Sequence, residues 1–494
     1  MKYQPKIGLE VHIELKTRSK MFCSCINNSL EKRPNVNICS ICLGHPGVLP
    51  TINEKAIKLV IKTALALNCK IAKVSKFERK NYFYPDLPKG YQISQYKEPI
   101  ATEGFLILPS SGKKIRIRRI HLEEDTAKLI YPEGKNYSLL DFNRAGIPLM
   151  ELVTEPDIES AKEAKEFAKE LQLILRYLDV SDADMEKGQM RIEANVSITQ
   201  ISGVNSQNLG TKVEIKNLNS FRAVEKAVEY EIKRQAEILE SRGEVVQETR
   251  GWNEKKGITL PQREKEEAHD YRYFPEPDLP SLELSDEFIK EIKLTLPEMP
   301  SQKRVRFLEE FQLSEKVIET LINNKNLNEY FEKVVSELLR WMKDKGIEEN
   351  KKAELIKTLA NFLLTEALGL LKGKTFREKN FPITPENFAE FITIIKEKNL
   401  TSKMAKILLE EMFKTKKDPS DILQEKELRR VDDEIQITEI AQKIIKMHPQ
   451  AIRDFQSGKR EAIQFLIGQM MRETKGKVNP QKAKEILTKL LTNN

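Results

Sequence analysis

The hydrophobic period of the chain changes near residue 290, and this change constrains the fold more than any other feature. Before it, short segments alternate apolar and polar residues and are separated by Gly, Pro and Asn turns. After it, apolar residues recur at helical spacing, as in 334–342, 355–364 and 463–471. Period two is typical of strands and period 3.6 of helices. We therefore predict an α+β part followed by an all-α part.

Proline positions place the boundaries of these parts. A proline cluster at 275–280 closes the first part, and Pro297 and Pro300 open the second. A segment at 399–402 is suited to cap a helix over 403–412, which indicates a second boundary. A chain of 494 residues is long enough for roughly two to four domains. We expect an α+β domain over 1–292, a helical domain over 293–402 and a basic helical tail domain over 403–494.

Two amphipathic segments, 159–178 and 221–240, predict helices within the first part. They would cover one face of a single sheet whose other face is polar and concave. No stretch approaches the run of about 18 apolar residues that a membrane helix needs, and no leader pattern precedes Ile7. We therefore expect a cytoplasmic protein without a membrane partner.

The net charge is +8, and most of the excess lies at the end of the chain. Residues 401–494 carry 19 Lys/Arg against 14 Asp/Glu, a net of +5. A basic tail is typical of a domain that binds a phosphate backbone, although ordinary soluble helices are also rich in lysine.

The segment 7–15 alternates strictly, with Ile and Leu/Val on one side and Glu10, His12 and Glu14 on the other. A strand with this pattern buries the apolar side and presents the polar one. Taken alone, the segment is equally typical of a half-solvated edge strand. The same alternation recurs, however, in 191–198 and 212–216.

A fourth strand, over 115–124, loses its alternation near Arg118 and Arg119, which predicts a β-bulge just before His121. Several strands with acidic and basic side chains on one face predict a basin for a divalent cation and phosphate oxygens. The chain has no G-x-x-x-x-G-K-[ST] loop. A site for ATP would therefore be built on the sheet.

Four of the five cysteines follow the spacing C-x-C-x13-C-x2-C, at Cys23, Cys25, Cys39 and Cys42. Two short cysteine pairs about a dozen residues apart suit a tetrahedral, fully protein-ligated Zn²⁺ that stabilises a loop. We predict a structural zinc knuckle over 23–42; the alternative is four unliganded thiols. The fifth, Cys69, ends an apolar run and is predicted to be buried.

Fifteen short blocks in this order resemble the B subunit of the bacterial three-subunit aminoacyl-tRNA amidotransferase family. Among them are IGLEVH at 7–12, RKNYFYPD at 79–86, HLEED at 121–125 and DYRYFPEPD at 270–278. The others lie at 19–22, 47–50, 90–94, 141–144, 148–151, 153–157, 191–197, 212–221, 247–250, 468–471 and 476–480. The blocks span essentially the whole chain.

The resemblance implies a glutamine-synthetase-like cradle with a mixed or antiparallel sheet, followed by helical and tail domains. It implies a carbon–nitrogen ligase that uses ATP and Mg²⁺ to phosphorylate the side chain of Glu or Asp esterified to tRNA. Ammonia then displaces the phosphate and gives Gln-tRNA(Gln) or Asn-tRNA(Asn). The implied partners are a glutaminase A subunit, a small C subunit, Glu-tRNA(Gln) or Asp-tRNA(Asn), and a glutamyl- or aspartyl-tRNA synthetase.

The resemblance also implies residue roles. The magnesium ligands and catalytic residues would be Glu10, His12, Glu124 and Glu151, although strand parity favours Glu123 over Glu124 on the polar face. The contacts to ATP, phosphate and substrate would be Arg79, Lys80, Lys89, Arg191, Asn195, Lys212, Lys216 and Arg272. Each of these charges is as readily explained by solvent exposure or an ion pair within the sheet. Some relatives lack the four cysteines, so zinc is not needed for the chemistry.

Cations of the tail domain would contact the tRNA body through its phosphates. We expect these contacts at Lys459, Arg460, Arg472, Lys475 and Lys477, with Lys443, Lys446 and Arg453 nearby. Two other hypotheses stay open. A stand-alone glutamine-synthetase-like ligase would amidate free glutamate without tRNA, and a non-catalytic zinc-containing RNA-binding protein would tolerate Glu10→Gln.

Overall fold

The computed structural model describes residues 3–200, 209–264, 271–398, 400–426, 434–457, 459, 461–474, 476 and 478–492. The chain divides into two units, Met1–Ser301 and Gln302–Asn494. Within the described ranges, no helix is both long and apolar enough to cross a membrane.

The first unit combines strands with a few helices, as the period-two pattern predicts. Its strands are β1 Tyr3–Glu14, β2 Lys70–Ile71, β3 Val74–Ser75, β4 Glu78–Asn81, β5 Tyr91–Ser94, β6 Ala101–Ile107, β7 Lys114–Glu124, β8 Lys128–Ile130, β9 Leu139–Asp141, β10 Pro148–Thr154, β11 Met190–Gln200, β12 Val213–Leu218, β13 Glu248–Asn253, β14 Ile258–Glu264, β15 Phe274–Pro275 and β16 Leu282–Glu283. Its helices are α1 Glu54–Ala66, α2 Ala161–Tyr177, α3 Phe221–Glu240 and α4 Asp286–Leu294.

One large mixed sheet dominates this unit. Over the described residues its strand order is β14-β13-β12-β11-β1-β10-β7-β6-β2. The pair β12–β13 is parallel, and the other neighbours are antiparallel. Smaller sheets pair β15-β4-β5, β16-β3 and β8-β9. Strand β1 therefore lies in the middle of the main sheet, which rules out the edge-strand interpretation of its pattern.

The alternation of β1 determines which face of the sheet is covered. Ile7, Leu9 and Val11 are fully buried and belong to one core with Phe167 of α2 and Val224 of α3. Glu10 and His12 face the other way and stay partly accessible. Burying one apolar side of the strand under helices thus leaves a polar face open for chemistry.

The two helices predicted for this unit are present. Helix α2 begins after Ser160, whose side chain accepts a hydrogen bond from the Glu163 amide, and α3 begins after Ser220, which accepts from the Ala223 amide. A serine at this position satisfies one of the free amides of the first turn. The observed bounds of α3 equal the predicted 221–240, and α2 is shorter than predicted by three residues in total.

The predicted β-bulge lies in β7. Val153 of β10 pairs with Arg119, whereas the next residue, Thr154, pairs with Ile117, so Arg118 is the extra residue. Beyond the bulge the pairing is regular, with Glu151 opposite His121 and Leu149 opposite Glu123. The bulge therefore sets which side chains of the 121–124 segment turn towards the polar face.

The described part of the second unit consists of helices joined by loops and contains no strand, as predicted. Its helices, from the junction onward, are α5 Pro300–Glu309, α6 Glu315–Ile322, α7 Lys325–Asp344, α8 Lys352–Asn361, α9 Leu368–Leu370, α10 Pro385–Glu397, α11 Ser402–Thr415, α12 Pro419–Glu425, α13 Glu434–Met447, α14 Pro449–Gln456, α15 Glu461–Glu473 and α16 Pro480–Thr492. A wide π-helical turn, Phe362–Ala367, joins α8 to α9. The last four helices share a buried core that includes Ile437, Leu466 and Leu487.

Candidate active site

A cluster of two histidines and two glutamates occupies the polar face at the centre of the sheet. Glu151 of β10 lies opposite His12 of β1 on one side and opposite His121 of β7 on the other. Residues directly opposite one another in antiparallel strands project from the same face. The Nε2 atoms of His12 and His121 each lie 3.4 Å from Glu151 Oε2. Glu123 Oε1 lies 3.8 Å from His12 Nε2 and completes the cluster.

The charges in this cluster are strongly coupled. Burial lowers the pKa of His12, but its hydrogen bond to Glu151 and the nearby Glu123 carboxylate outweigh burial and raise that pKa to about 9. Burial also opposes ionisation of Glu151, but His121 and His12 hold its pKa well below the usual range. The Glu151 carboxylate is therefore ionised and available as a ligand. One atom each from His12, Glu123 and Glu151 lie within 4.8 Å of one another, a donor set that fits a divalent cation once the cation displaces the proton from His12.

Three further glutamates form a second group on the same face. Glu10, Glu193 and Glu214 each bring a carboxylate oxygen within 4.8 Å of the other two. Glu10 lies two residues from His12 on β1 and directly opposite Glu193 of β11. Asn195 Nδ2 donates to Glu10 Oε1 at 2.8 Å, and Lys216 Nζ lies 2.8 Å from Glu193 Oε2. Apart from Glu123, which lies behind His12 and His121, the residues of both groups line one basin.

Several of the predicted phosphate contacts lie at this basin. Lys80, Lys212 and Lys216 line it, and Asn195 holds Glu10 at its edge. Lys216 keeps an ammonium group on the face, because burial is outweighed by Glu193 and Glu214, which raise its pKa. These cations lie beside carboxylates, so the basin mixes both signs of charge, as the recurring alternation predicts.

Other predicted contacts are held elsewhere. Arg79 donates two hydrogen bonds of 2.8 Å to Glu276, and Lys89 Nζ donates to Glu124 Oε2 at 2.6 Å. Arg191 Nη2 lies 3.0 Å from Asp125 Oδ2. Arg272 has an exposed side chain and a left-handed backbone with φ 45°. Arg79, Lys89 and Arg191 thus each form an ion pair with a carboxylate of the same unit.

The structure brings Glu123, and not Glu124, to His12 and Glu151. Successive side chains of a strand point to opposite sides, so His121 and Glu123 share the basin side of β7. Glu124 turns towards β5, where it accepts hydrogen bonds from Lys89 and from the Ile93 amide at 3.0 Å. The prediction that Glu124 joins His12 and Glu151 is therefore wrong. Strand parity, which favours Glu123, agrees with the structure.

The basin also contains residues that the sequence does not single out. His121 belongs to the block HLEED at 121–125. Because it lies two residues before Glu123 on the same strand, the sequence indicates that both side chains share one face. Arg119 Nη2 lies 3.6 Å from Glu151 Oε1. Tyr96, Tyr271 and Tyr273 line the basin as well. Their placement depends on the pairing of β15 with β4, across nearly 200 residues of sequence, for which no local pattern exists.

The four clustered cysteines converge as their spacing predicts. Their sulfur atoms lie within 4.8 Å of one another, and all four are free thiols. Tetrahedral zinc with bonds of about 2.3 Å needs four sulfurs at such separations, so the donor set fits Zn²⁺. Lys20 is fully buried beside them, with Nζ 3.7 Å from Cys42 Sγ. Cys69 is separate and buried, and burial raises its pKa to about 12.

The tail cations are only partly within the described residues. Arg472 is exposed near the end of α15. Lys459 forms an ion pair of 3.0 Å with Asp454, and Lys443 pairs with Glu473 at 2.7 Å. Arg460, Lys475 and Lys477 lie outside the described residues.

Comparison with known proteins assigns the chain to a family. The family model of the GatB/GatE catalytic domain matches residues 5–290, and that of the GatB domain matches 344–491. The B subunit of the aspartyl/glutamyl-tRNA(Asn/Gln) amidotransferase of Thermotoga maritima is 47% identical over 99% of both chains. Proteins of the same name from Persephonella marina and Caldanaerobacter subterraneus subsp. tengcongensis are each 46% identical, over 99% and 100% of this chain and all of their own length. The chain thus belongs to the family of B subunits of the aspartyl/glutamyl-tRNA(Asn/Gln) amidotransferases.

Proposed function

We propose that this chain is the subunit of a tRNA-dependent amidotransferase that activates the side chain of Glu or Asp esterified to tRNA. ATP phosphorylates the side-chain carboxylate, and ammonia then displaces phosphate to give the amide. A carboxylate is a poor electrophile, and the acyl phosphate supplies the leaving group that it lacks. The observation that carries the proposal is the row of carboxylates and histidines across β1, β10 and β7, with lysines on the same face.

Two groups of side chains would hold divalent cations at this face. They are His12, Glu123 and Glu151, and Glu10, Glu193 and Glu214. When bound, Mg²⁺ would offset the charge on the phosphate oxygens of ATP. The register of five adjacent strands, in the order β12-β11-β1-β10-β7, would fix these ligands before substrate arrives, which reduces the reorganisation needed during reaction.

The cations of the basin have a separate task. Lys80, Lys212, Lys216 and Arg119 would contact the oxygens of the transferring phosphoryl group and the triphosphate. Their charge stabilises the transition state if the reacting carboxylate and γ-phosphorus are held in line. Asn195 keeps Glu10 oriented through its 2.8 Å hydrogen bond. Arg79, Lys89 and Arg191 serve this site indirectly, by fixing the surrounding strands and loops through their ion pairs.

The remaining parts of the assembly follow from the family. Ammonia would come from a glutaminase A subunit through a tunnel, and a small C subunit would complete the heterotrimer. A glutamyl- or aspartyl-tRNA synthetase would supply the charged tRNA. The sheet-and-helix first unit would be a glutamine-synthetase-like cradle over 1–292, followed by a helical domain over 293–402 and a tRNA-binding tail over 403–494. Zinc at the four cysteines would be structural.

The test is amidation of Glu-tRNA(Gln) and Asp-tRNA(Asn) by the reconstituted complex, with ATP and either glutamine or ammonium as the nitrogen source. We expect Gln-tRNA or Asn-tRNA to form only when ATP is present. Glu151→Gln should abolish the product with both nitrogen sources, because it affects activation rather than ammonia supply. Amidation of free glutamate without tRNA would instead support the stand-alone ligase.

A further inference from the structure

Three tyrosines form a wall of the basin for which the phosphoryl chemistry provides no role. Tyr96 and Tyr273 stack with ring centroids 4.7 Å apart and planes 13° apart, and Tyr271 meets Tyr273 edge-on at 6.1 Å. Tyr96 is still 51% exposed. These three residues, the tyrosine wall, line the same basin as Glu10, His12 and Glu151. Phosphate oxygens gain little from aromatic rings, so the wall indicates a different part of a ligand.

Two cations lie beside the rings. Lys80 Nζ is 5.0 Å from the centroid of the Tyr271 ring, and the guanidinium carbon of Arg119 is 5.7 Å from that of Tyr96. Arg119 also reaches Glu151, with Nη2 3.6 Å from Oε1, so its side chain spans the distance from the carboxylate cluster to the wall. Arg119 Nε is buried and has no hydrogen-bond partner among the described residues. Aromatic rings interleaved with cations are typical of sites for single-stranded nucleic acid.

The chemistry of the substrate indicates which nucleoside reaches the wall. The carbon of the side-chain carboxylate in Glu-tRNA, one of whose oxygens is phosphorylated, is five bonds from the 3′-oxygen of the terminal ribose, roughly 6 Å when extended. The terminal adenosine must therefore enter the basin together with the reacting carboxylate. The adenine of ATP is separated from its γ-phosphorus by a triphosphate and a ribose, and it can lie farther away. Arg119 connects the carboxylate cluster to the wall over a distance of this order.

We propose that the tyrosine wall stacks on the 3′-terminal adenosine of the aminoacyl-tRNA, with Lys80 and Arg119 next to it. This inference rests on the proposed function, because it takes the reacting carboxylate to lie at the carboxylate–histidine cluster. Stacking is sequence-tolerant but orients the ribose, and so it aims the esterified side chain at the phosphoryl group. The wall thus acts in binding and positioning, without taking part in proton or phosphoryl transfer.

The first experiment measures steady-state amidation by the full chain in its complex, with Glu-tRNA(Gln) or ATP varied in turn. Tyr96→Leu should raise the KM for Glu-tRNA roughly tenfold, the typical effect of losing one base–aromatic stack, and leave the KM for ATP unchanged. Tyr96→Phe keeps the ring and should restore the wild-type KM. Tyr137→Leu is the matched control, since Tyr137 is similarly exposed at 53% and does not line the basin.

The second experiment observes the base directly and needs no turnover. A tRNA(Gln) that ends in 2-aminopurine instead of adenine should lose fluorescence when it binds the wild-type complex, because stacking quenches it. The quench should disappear with Tyr96→Leu and persist with Tyr96→Phe and Tyr137→Leu. The absence of quenching in the wild type, or a Tyr96→Leu effect on the KM for ATP alone, would overturn the proposal. If the wild-type complex fails to amidate tRNA at all while 2-aminopurine is quenched, the proposed function fails and the nucleoside site stands.

Discussion

At the scale of single residues, two adjacent glutamates have different environments. Glu123 Oε1 lies 3.8 Å from His12 Nε2, in the same carboxylate–histidine cluster as Glu151. Glu124 is equally buried but forms an ion pair with Lys89 and accepts a backbone hydrogen bond from Ile93. The alternation of side chains along β7 accounts for the difference. We therefore expect Glu123 to serve the proposed chemistry and Glu124 to stabilise the fold beside it.

Glu123→Gln should therefore lower activity, whereas Glu124→Gln should lower stability. We expect Glu123→Gln to lower tRNA-dependent ADP formation roughly a hundredfold, because it removes an ionised ligand from the phosphoryl site, with little change in thermal stability. Glu124→Gln leaves the Lys89 ammonium buried without a counter-charge, which costs about 3 kcal/mol of stability. ADP release and thermal melts of both variants separate the two effects. Loss of ADP formation in a fully stable Glu124→Gln variant would contradict these roles.

At the scale of elements, the cysteine knuckle over residues 23–42 is hydrogen-bonded to the loop that leads into β10. The Asn35 amide donates to Asp141 Oδ1 at 3.1 Å, and Asn35 Oδ1 accepts from the Phe142 amide at 2.7 Å. Asn143 Oδ1 accepts from the Val36 amide at 2.9 Å. This loop ends where β10 begins, three residues before Glu151. Hydrogen bonds between backbone amides and side-chain oxygens therefore connect the knuckle to the loop that precedes Glu151.

Cys39→Ser should loosen this loop without unfolding the sheet. Loss of one thiolate weakens metal binding, so the 23–42 segment becomes more mobile. The hydrogen bonds of Asn35 and Asn143 between this segment and the 141–143 loop then break more often. Hydrogen–deuterium exchange should become faster across 139–147 and stay unchanged in α2. Chelation of the wild type should have the same effect. Cys69→Ser, which alters a buried thiol outside the knuckle, is the control. If residues 139–147 exchange at the same rate in Cys39→Ser as in the wild type, the knuckle does not stabilise this loop.

The elements also show what the sequence can and cannot predict. The period of β1, the serine-capped helices α2 and α3 and the bulge at Arg118 are local patterns, and the structure agrees with each. The cysteine spacing is local in the same sense. By contrast, Arg79 is predicted to contact phosphate, but it pairs with Glu276, which is nearly 200 residues away. Such long-range pairings, like those that build the tyrosine wall, leave no periodic signal.

At the scale of the whole molecule, the basic tail is the part expected to hold the tRNA body. Many of its cations are neutralised within the chain, as Lys459 is by Asp454 and Lys443 by Glu473. Arg472 is exposed and has no ion-pair partner among the described residues. An unpaired cation attracts phosphate more strongly than one already in an ion pair. Arg472 is therefore the most informative tail residue to change.

Arg472→Glu should weaken tRNA binding and reduce its salt dependence by about one unit of the log–log slope, as loss of one phosphate contact predicts. ATP chemistry at saturating tRNA should be unaffected. Filter binding or anisotropy over a salt series measures both quantities. Lys169→Glu, on the exposed side of α2, is the charge-matched control. A salt slope identical to that of the wild type would remove Arg472 from the interface.

The central claim is that the basin transfers the γ-phosphoryl group of ATP to a carboxylate esterified to tRNA. Positional isotope exchange tests it most directly, with ATP labelled by ¹⁸O in the β–γ bridge, Glu-tRNA(Gln) and no source of ammonia. Reversible acyl phosphate formation should move the label from the bridge to the non-bridging β-oxygens in the wild type, and Glu151→Gln should abolish the exchange. Absence of exchange in a wild-type complex that amidates tRNA, or undiminished exchange in Glu151→Gln, would contradict the account.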